Sequence, residues 1–228
     1  MKRLFFVFLL PLAIFFLFGI FYFWPQPMVF WLAIFLIFSI LLLSFWKIFL
    51  PFFNRSFLFF VQIFVFTLVI SFLPIFIGQS ILFLLCLACL CLLLYLYFRS
   101  AYQLFYQPRL YRAYSLETMA LPLNFVIIFL LVAEVEILVL IYHLPYLIAV
   151  LALFLFFSWL NFYFFNLKAP TIVWPFSFLV GLLLTEFYLA ISRLPLSGHL
   201  NGLILGLVFV MIIKIWQKRE QQFLLVKP

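Results

Sequence analysis

The sequence is poor in charged residues, and acidic residues are the scarcest of all. It contains no aspartate and only five glutamates against thirteen lysines and arginines, so that charged residues make up 8% of 228 positions. A soluble domain carries roughly 25% charged residues. This chain therefore lacks the polar groups needed to cover a water-exposed surface. Intrinsic disorder is excluded as well, because disordered chains are poor in aromatic residues and this chain is 24% aromatic.

The apolar residues form long continuous runs, without the two-residue alternation of a half-exposed strand. A helix that spans a bilayer needs about 20 mostly apolar residues. We therefore predict an all-α, polytopic helical membrane protein, with 1–228 as a single integral membrane domain. The eight predicted spans are 4–24, 28–46, 57–77, 80–98, 119–142, 145–166, 171–192 and 197–216.

Short proline-containing turns pair these spans into four hairpins. Proline lacks an N–H and has a fixed φ, which suits a turn or the first turn of a helix. The turn prolines are Pro25, Pro27, Pro74, Pro145 and Pro195. The predicted hairpins, which we consider as candidate repeats, are 4–46, 57–98, 119–166 and 171–216. A longer segment, 99–118, mixes tyrosines with arginines and is expected to lie at the cytoplasmic membrane surface.

The basic residues predict the orientation. With eight spans, twelve of the thirteen lysines and arginines fall on the side that holds both termini, and only Arg193 falls on the other. Cytoplasmic loops carry the excess of positive charge, so both termini are predicted to be cytoplasmic in a multi-pass protein of the cell membrane. The net charge of +8 then reflects topology and attraction to anionic lipid. The cations are scattered and form no nucleic-acid-binding motif.

Three glutamates, Glu134, Glu136 and Glu186, fall inside predicted spans, where an ionisable side chain is costly and usually functional. Glu134 and Glu136 point about 200° apart on a regular helix, so they do not form a carboxylate pair. We predict a polar pocket in the outer half of the bundle. Its candidate residues are Glu136, His143, Glu186, Arg193, His199 and Asn201. The alternative is that these residues hydrogen-bond one helix to another.

Two of these glutamates occur in matching sequences. Glu136 lies seven residues before His143-Leu144-Pro145, and Glu186 lies seven residues before Arg193-Leu194-Pro195. The match indicates either an internal duplication, as in many transporters, or two turns under the same physical demand.

Glycines mark one helix face for close packing. Gly198, Gly202 and Gly206 are spaced by four residues, which keeps them on one side of the last helix and lets another backbone approach. The expected packing partner is the preceding helix or a second copy of the chain. Cys86, Cys89 and Cys91 lie in a leucine-rich span with no second cysteine pair. We read them as small apolar residues and predict no metal site.

The sequence contains none of the GxSxG, HExxH, P-loop or GxGxxG motifs, and we predict neither catalytic residues nor a cofactor. The function expected first is a non-enzymatic, membrane-embedded subunit or scaffold of an envelope complex. One alternative is a small transporter with Glu136 and Glu186 in its polar pocket. Another is an intramembrane metal-dependent hydrolase that uses Glu136, His143, Glu186 and His199. The expected partners are the lipid bilayer and either another membrane protein or further copies of the chain.

Overall fold

A computed structural model describes residues 2–48, 53–71, 81–107, 115–166 and 173–226. This part of the chain contains eight helices and no strand, which confirms the all-α prediction. The helices are α1 (Lys2–Phe23), α2 (Pro27–Ile48), α3 (Phe53–Ser71), α4 (Ile81–Tyr106), α5 (Ser115–Ile141), α6 (Tyr146–Asn166), α7 (Val173–Ile191) and α8 (Gly198–Val226).

Five helices contain segments long and apolar enough to cross a membrane. They are Pro27–Ser44, Phe83–Tyr106, Thr118–Ile141, Trp174–Ile191 and Gly198–Lys218. Within the described residues, the apolar segments of α1, α3 and α6 are shorter. The molecule is therefore a polytopic helical membrane protein. The finer prediction of eight spans remains a prediction.

The helix ends agree with the turn prolines where the structure describes them. Pro27 begins α2, and Pro145 directly precedes α6. Two helices continue beyond their predicted ends: α4 runs to Tyr106, inside the segment 99–118 that we assigned to a surface loop, and α8 continues to Val226. The turn around Pro74 and the centre of the loop, 108–114, lie outside the described residues.

The chain divides into two compact units, Met1–Leu123 and Asn124–Pro228. In the first unit, α1 packs against both α2 and α4. Stacked rings join α1 to α4, with Phe8 and Tyr95 centroids 4.6 Å apart and Tyr22 and Phe83 centroids 6.2 Å apart. These two pairs show that α1 and α4 run antiparallel. The abundant aromatic side chains thus fill helix interfaces as well as covering the outside.

Three polar side chains of the first unit donate hydrogen bonds within the protein. The buried Tyr97 hydroxyl of α4 donates a hydrogen bond to the Gln62 side-chain oxygen of α3. The hydroxyls of Thr67 and Ser71 donate to the carbonyls of Ile63 and Thr67, one turn earlier. An unpaired polar group in hydrocarbon costs several kcal/mol, and these bonds avoid that cost.

In the second unit, α6 and α7 form a closely packed antiparallel pair. A Cβ atom built on Gly181 would lie 2.2 Å from the Ser158 Oγ and 2.8 Å from its backbone nitrogen. Gly181 has Ser177 and Thr185 four residues to either side, and both are buried. The sequence analysis overlooked this small-residue stripe, whose spacing matches that of the glycines in α8.

The glycine stripe of α8 faces α5. A Cβ atom on Gly202 would lie 2.3 Å from the Phe129 carbonyl oxygen, and one on Gly206 would lie 2.8 Å from the Phe125 ring. Helix α8 also packs against α7, but the closest backbone approach of the stripe is to α5. The sequence analysis had offered α7 or a second copy as the partner.

We expect Gly202→Ala to destabilise the protein by about 1–3 kcal/mol, because the methyl group meets a backbone carbonyl that cannot move aside without separating α5 from α8. Gly19→Ala in α1 is the matched control. Nothing lies within 4 Å of its Cβ position, so helix propensity alone predicts a neutral effect or a gain of up to about 1 kcal/mol. Thermal unfolding in detergent measures both. Equal midpoints for the two variants would contradict the close approach.

Candidate functional site

A hydrogen bond joins α5 to α8 through the Glu136 side chain. The Asn201 Nδ2 donates to Glu136 Oε1 at 2.7 Å, between residues 65 positions apart in sequence. Both side chains are buried, Asn201 at 2% exposure and Glu136 at 9%. Two of the predicted pocket residues are therefore in direct contact, in the form expected of an interhelical polar contact.

The Glu136 carboxylate also lies at the first turn of α8. Its Oε2 atom would be 2.8 Å from a Cβ atom on Gly198, the first residue of that helix. Ser197 caps α8, with its carbonyl accepting from the Asn201 N–H at 3.0 Å. The N-terminal end of a helix carries a partial positive charge that attracts carboxylates. Gly198 thus provides the space in which Glu136 sits against this end.

A series of pairwise interactions links this contact to tyrosine and serine side chains. The Tyr188 ring of α7 stacks on the Tyr146 ring, with centroids 6.5 Å apart, and Tyr188 interacts electrostatically with Glu136. The Tyr146 hydroxyl, at the start of α6, lies 2.6 Å from the Ser192 Oγ in the turn after α7. We call these five residues the Glu136 cluster: Glu136, Tyr146, Tyr188, Ser192 and Asn201. The cluster draws on all four helices of the second unit and on one of its turns.

The remaining predicted pocket residues differ in position. His199, although exposed, is within electrostatic range of Glu136. His143, Glu186 and Arg193 are all exposed. The structure thus places Glu136, Asn201 and His199 together. Glu186 occupies the same position in its hairpin as Glu136 but lies on an exposed face, so the matched sequences have unlike surroundings.

The backbone gives His143 a local structural role. It has a φ of 52°, in the left-handed region, directly after α5 ends. A residue in this conformation commonly ends a helix, and histidine adopts it more often than most non-glycine residues do. The Leu144 N–H then donates to the Leu138 carbonyl at 3.2 Å. His143 therefore has a structural role in the turn that ends α5.

The Glu136 cluster contains a hydrogen-bond acceptor that is available to a ligand. The Asn201 Oδ1 atom is buried and has no hydrogen-bond partner among the described residues. Glu134, two residues before Glu136, is also buried, and its Oε1 likewise lacks a partner there. A buried acceptor beside a carboxylate can receive a proton donor, such as a water molecule or an ammonium group.

The described ranges contain no group of three or more His, Cys, Asp or Glu side chains arranged to hold a metal ion. The three cysteines are free and differ in environment: Cys91 is buried, Cys86 is half-buried and Cys89 is exposed.

Tyr146, Tyr188 and Ser192 were not predicted as pocket residues, because a tyrosine or serine in a membrane helix or turn is less conspicuous in sequence than a charged side chain in an apolar span. A usable signal was present. Tyr146 follows the Leu144-Pro145 turn, and Ser192 immediately follows α7, so both residues border turns that the hairpin prediction had placed at the same end of the bundle. The hydroxyls of Tyr146 and Ser192 could thus be expected to lie near each other. Only the packing of α6 on α7 shows that they meet.

No protein-family model, characterised protein or solved structure matches this chain. The helical fold with its apolar, membrane-length segments defines the class, a polytopic helical membrane protein.

We expect Glu136→Ala and Asn201→Ala each to destabilise the protein, and their effects to be non-additive. A double-mutant cycle measured by thermal unfolding should give a coupling free energy on the order of 1 kcal/mol, as found for hydrogen bonds between membrane helices. Glu136 with Leu138, an exposed residue on the same helix, is the control pair and should be additive. A coupling of zero between Glu136 and Asn201 would contradict the contact.

Proposed function

We propose that this chain is a non-enzymatic, membrane-embedded subunit or scaffold of an envelope complex. The observation that carries the proposal is that the Glu136 side chain connects helices of the second unit. Its carboxylate bonds Asn201, sits against the start of α8 and forms part of a cluster that draws on all four helices of the second unit. Polar side chains used in this way hold a bundle in one arrangement, which is what a scaffold requires.

One observation favours the alternative that the protein is a transporter. The Asn201 Oδ1 is a buried acceptor without a partner in the described residues, and polar groups inside membrane bundles often line substrate or proton pathways. It loses support from Glu186, because an exposed carboxylate on α7 does not face inward beside Glu136. We therefore place it second.

We further propose that both termini lie on the cytoplasmic side of the cell membrane, on the basis of the lysine and arginine distribution. In a variant without native cysteines, a cysteine at Gln26 should react with a membrane-impermeant maleimide added to intact cells. One at Gln107, which follows α4, should react only after the cells are opened. Labelling of both positions, or of Gln107 alone, in intact cells would contradict the orientation.

The scaffold role is tested by purification at native expression in a mild detergent, followed by mass spectrometry of what copurifies. We expect one or more membrane proteins in a fixed ratio to the chain, retained through size-exclusion chromatography. Gly202→Ala provides a comparison, because loosening α5 from α8 should reduce the amount of bound partner. A chain that purifies alone with a bound small molecule would favour the transporter instead.

A further inference from the structure

The exposed face of α7 carries a carboxylate inside a candidate membrane span. The side of this helix toward α6 holds Val180, Gly181, Leu184 and Tyr188, all of them buried. The opposite side is exposed and apolar except for one residue. Its exposed residues include Leu179, Leu182, Leu183, Glu186 and Phe187. Glu186 therefore lies on an otherwise apolar surface, near the C-terminal end of α7.

The length of the span fixes the depth of Glu186. The apolar segment Trp174–Ile191 has 18 residues, which is about 27 Å of helix and close to the thickness of the hydrocarbon layer. Raising Glu186 into the headgroup region would pull the Trp174 end too far into the bilayer. Glu186 lies about 7 Å below the end of the helix, and its short side chain does not reach as far as those of lysine or arginine.

An ionisable group at this depth is stable when it is paired with another polar group. We propose that the face of α7 around Glu186 is a docking surface for a transmembrane helix of a different protein, which presents a lysine or arginine at the depth of Glu186. This inference rests on the proposed subunit role and names the chemistry of the partner. The partner residue is basic because its positive charge complements the negative charge of Glu186. The apolar contact comes from neighbouring exposed side chains such as Leu183 and Phe187.

A second copy of the chain fits this surface less well. Copies of one sequence enter the membrane in the same orientation, so a two-fold axis along the membrane normal brings residues of equal depth together. Glu186 would then face a second Glu186. The exposed Arg193 lies two residues beyond the end of α7, outside the apolar span, and so not at the depth of Glu186.

The test uses the full chain in its native membrane, with a photo-cross-linking amino acid at Leu183 on the proposed surface. Leu155, an exposed residue of α6, is the control position. We expect a cross-linked product from position 183 and none of the same mass from position 155. Peptide mapping should place the attachment in a membrane-spanning segment of another protein, within one helical turn of a lysine or arginine.

Charge variants then test the chemistry. Glu186→Lys should lower the yield of this product by about ten-fold or more, because like charges would meet in a low-dielectric environment. Changing the basic residue of the partner to glutamate in that background should restore it. For the purified chain alone, Glu186→Leu should leave the unfolding midpoint unchanged or raise it, because Glu186 is exposed in the described part of the chain. A fall in that midpoint would assign Glu186 a role inside the fold and overturn the proposal.

Other outcomes also overturn the docking surface. They are a cross-link to a second copy, to residues 1–123 of the same chain, to lipid only, or to a segment without a basic residue, and a yield unchanged in Glu186→Lys. The proposed function fails separately, when no protein copurifies with the wild-type chain. A partner that copurifies without cross-linking at position 183 would overturn the surface and leave the subunit role standing.

Discussion

Water is absent from the hydrocarbon layer, and this constraint accounts for the hydrogen bonds that polar side chains form in the described helices. Helices satisfy their own backbone groups, and short polar side chains follow the same rule by donating to carbonyls one turn earlier, as Thr67 and Thr185 do. Two longer side chains, those of Gln62 and Glu136, bond to a neighbouring helix instead. Gln62 bonds Tyr97 in the first unit, and Glu136 bonds Asn201 in the second. Polar residues thus specify which helices pack together in a chain whose apolar surfaces are nearly interchangeable.

Close backbone approach is the condition for these bonds in the second unit. Gly202 rests on the Phe129 carbonyl, which brings α8 near enough to α5 for Asn201 to reach Glu136. Gly198 then leaves room for the carboxylate at the start of α8. The glycine stripe and the intramembrane glutamate, which look like separate signals in the sequence, are parts of one packing arrangement.

Glu136 and Glu186 share a local sequence pattern but have different surroundings. Glu136 and Glu186 each lie seven residues before a Leu-Pro turn, but one is buried against Asn201 and the other is exposed. The difference arises from their neighbours: α8 covers Glu136 through its glycine face, and α7 turns Glu186 away from α6. The roles that we propose for them therefore differ: Glu136 joins two helices of the second unit, and Glu186 is the proposed contact for a partner helix.

The sequence by itself determined the class of protein, the positions of the helices and most of the turns. These follow from composition, from apolar runs of bilayer length and from proline, all of which act locally. It also predicted that Gly198, Gly202 and Gly206 face a close neighbour. Only the tertiary structure decided that this neighbour is α5, that Tyr146 and Ser192 meet, and that Glu186 is excluded from the Glu136 cluster. Hydrophobic pattern fixes which residues lie in the membrane, but it carries little information on which apolar helix packs against which.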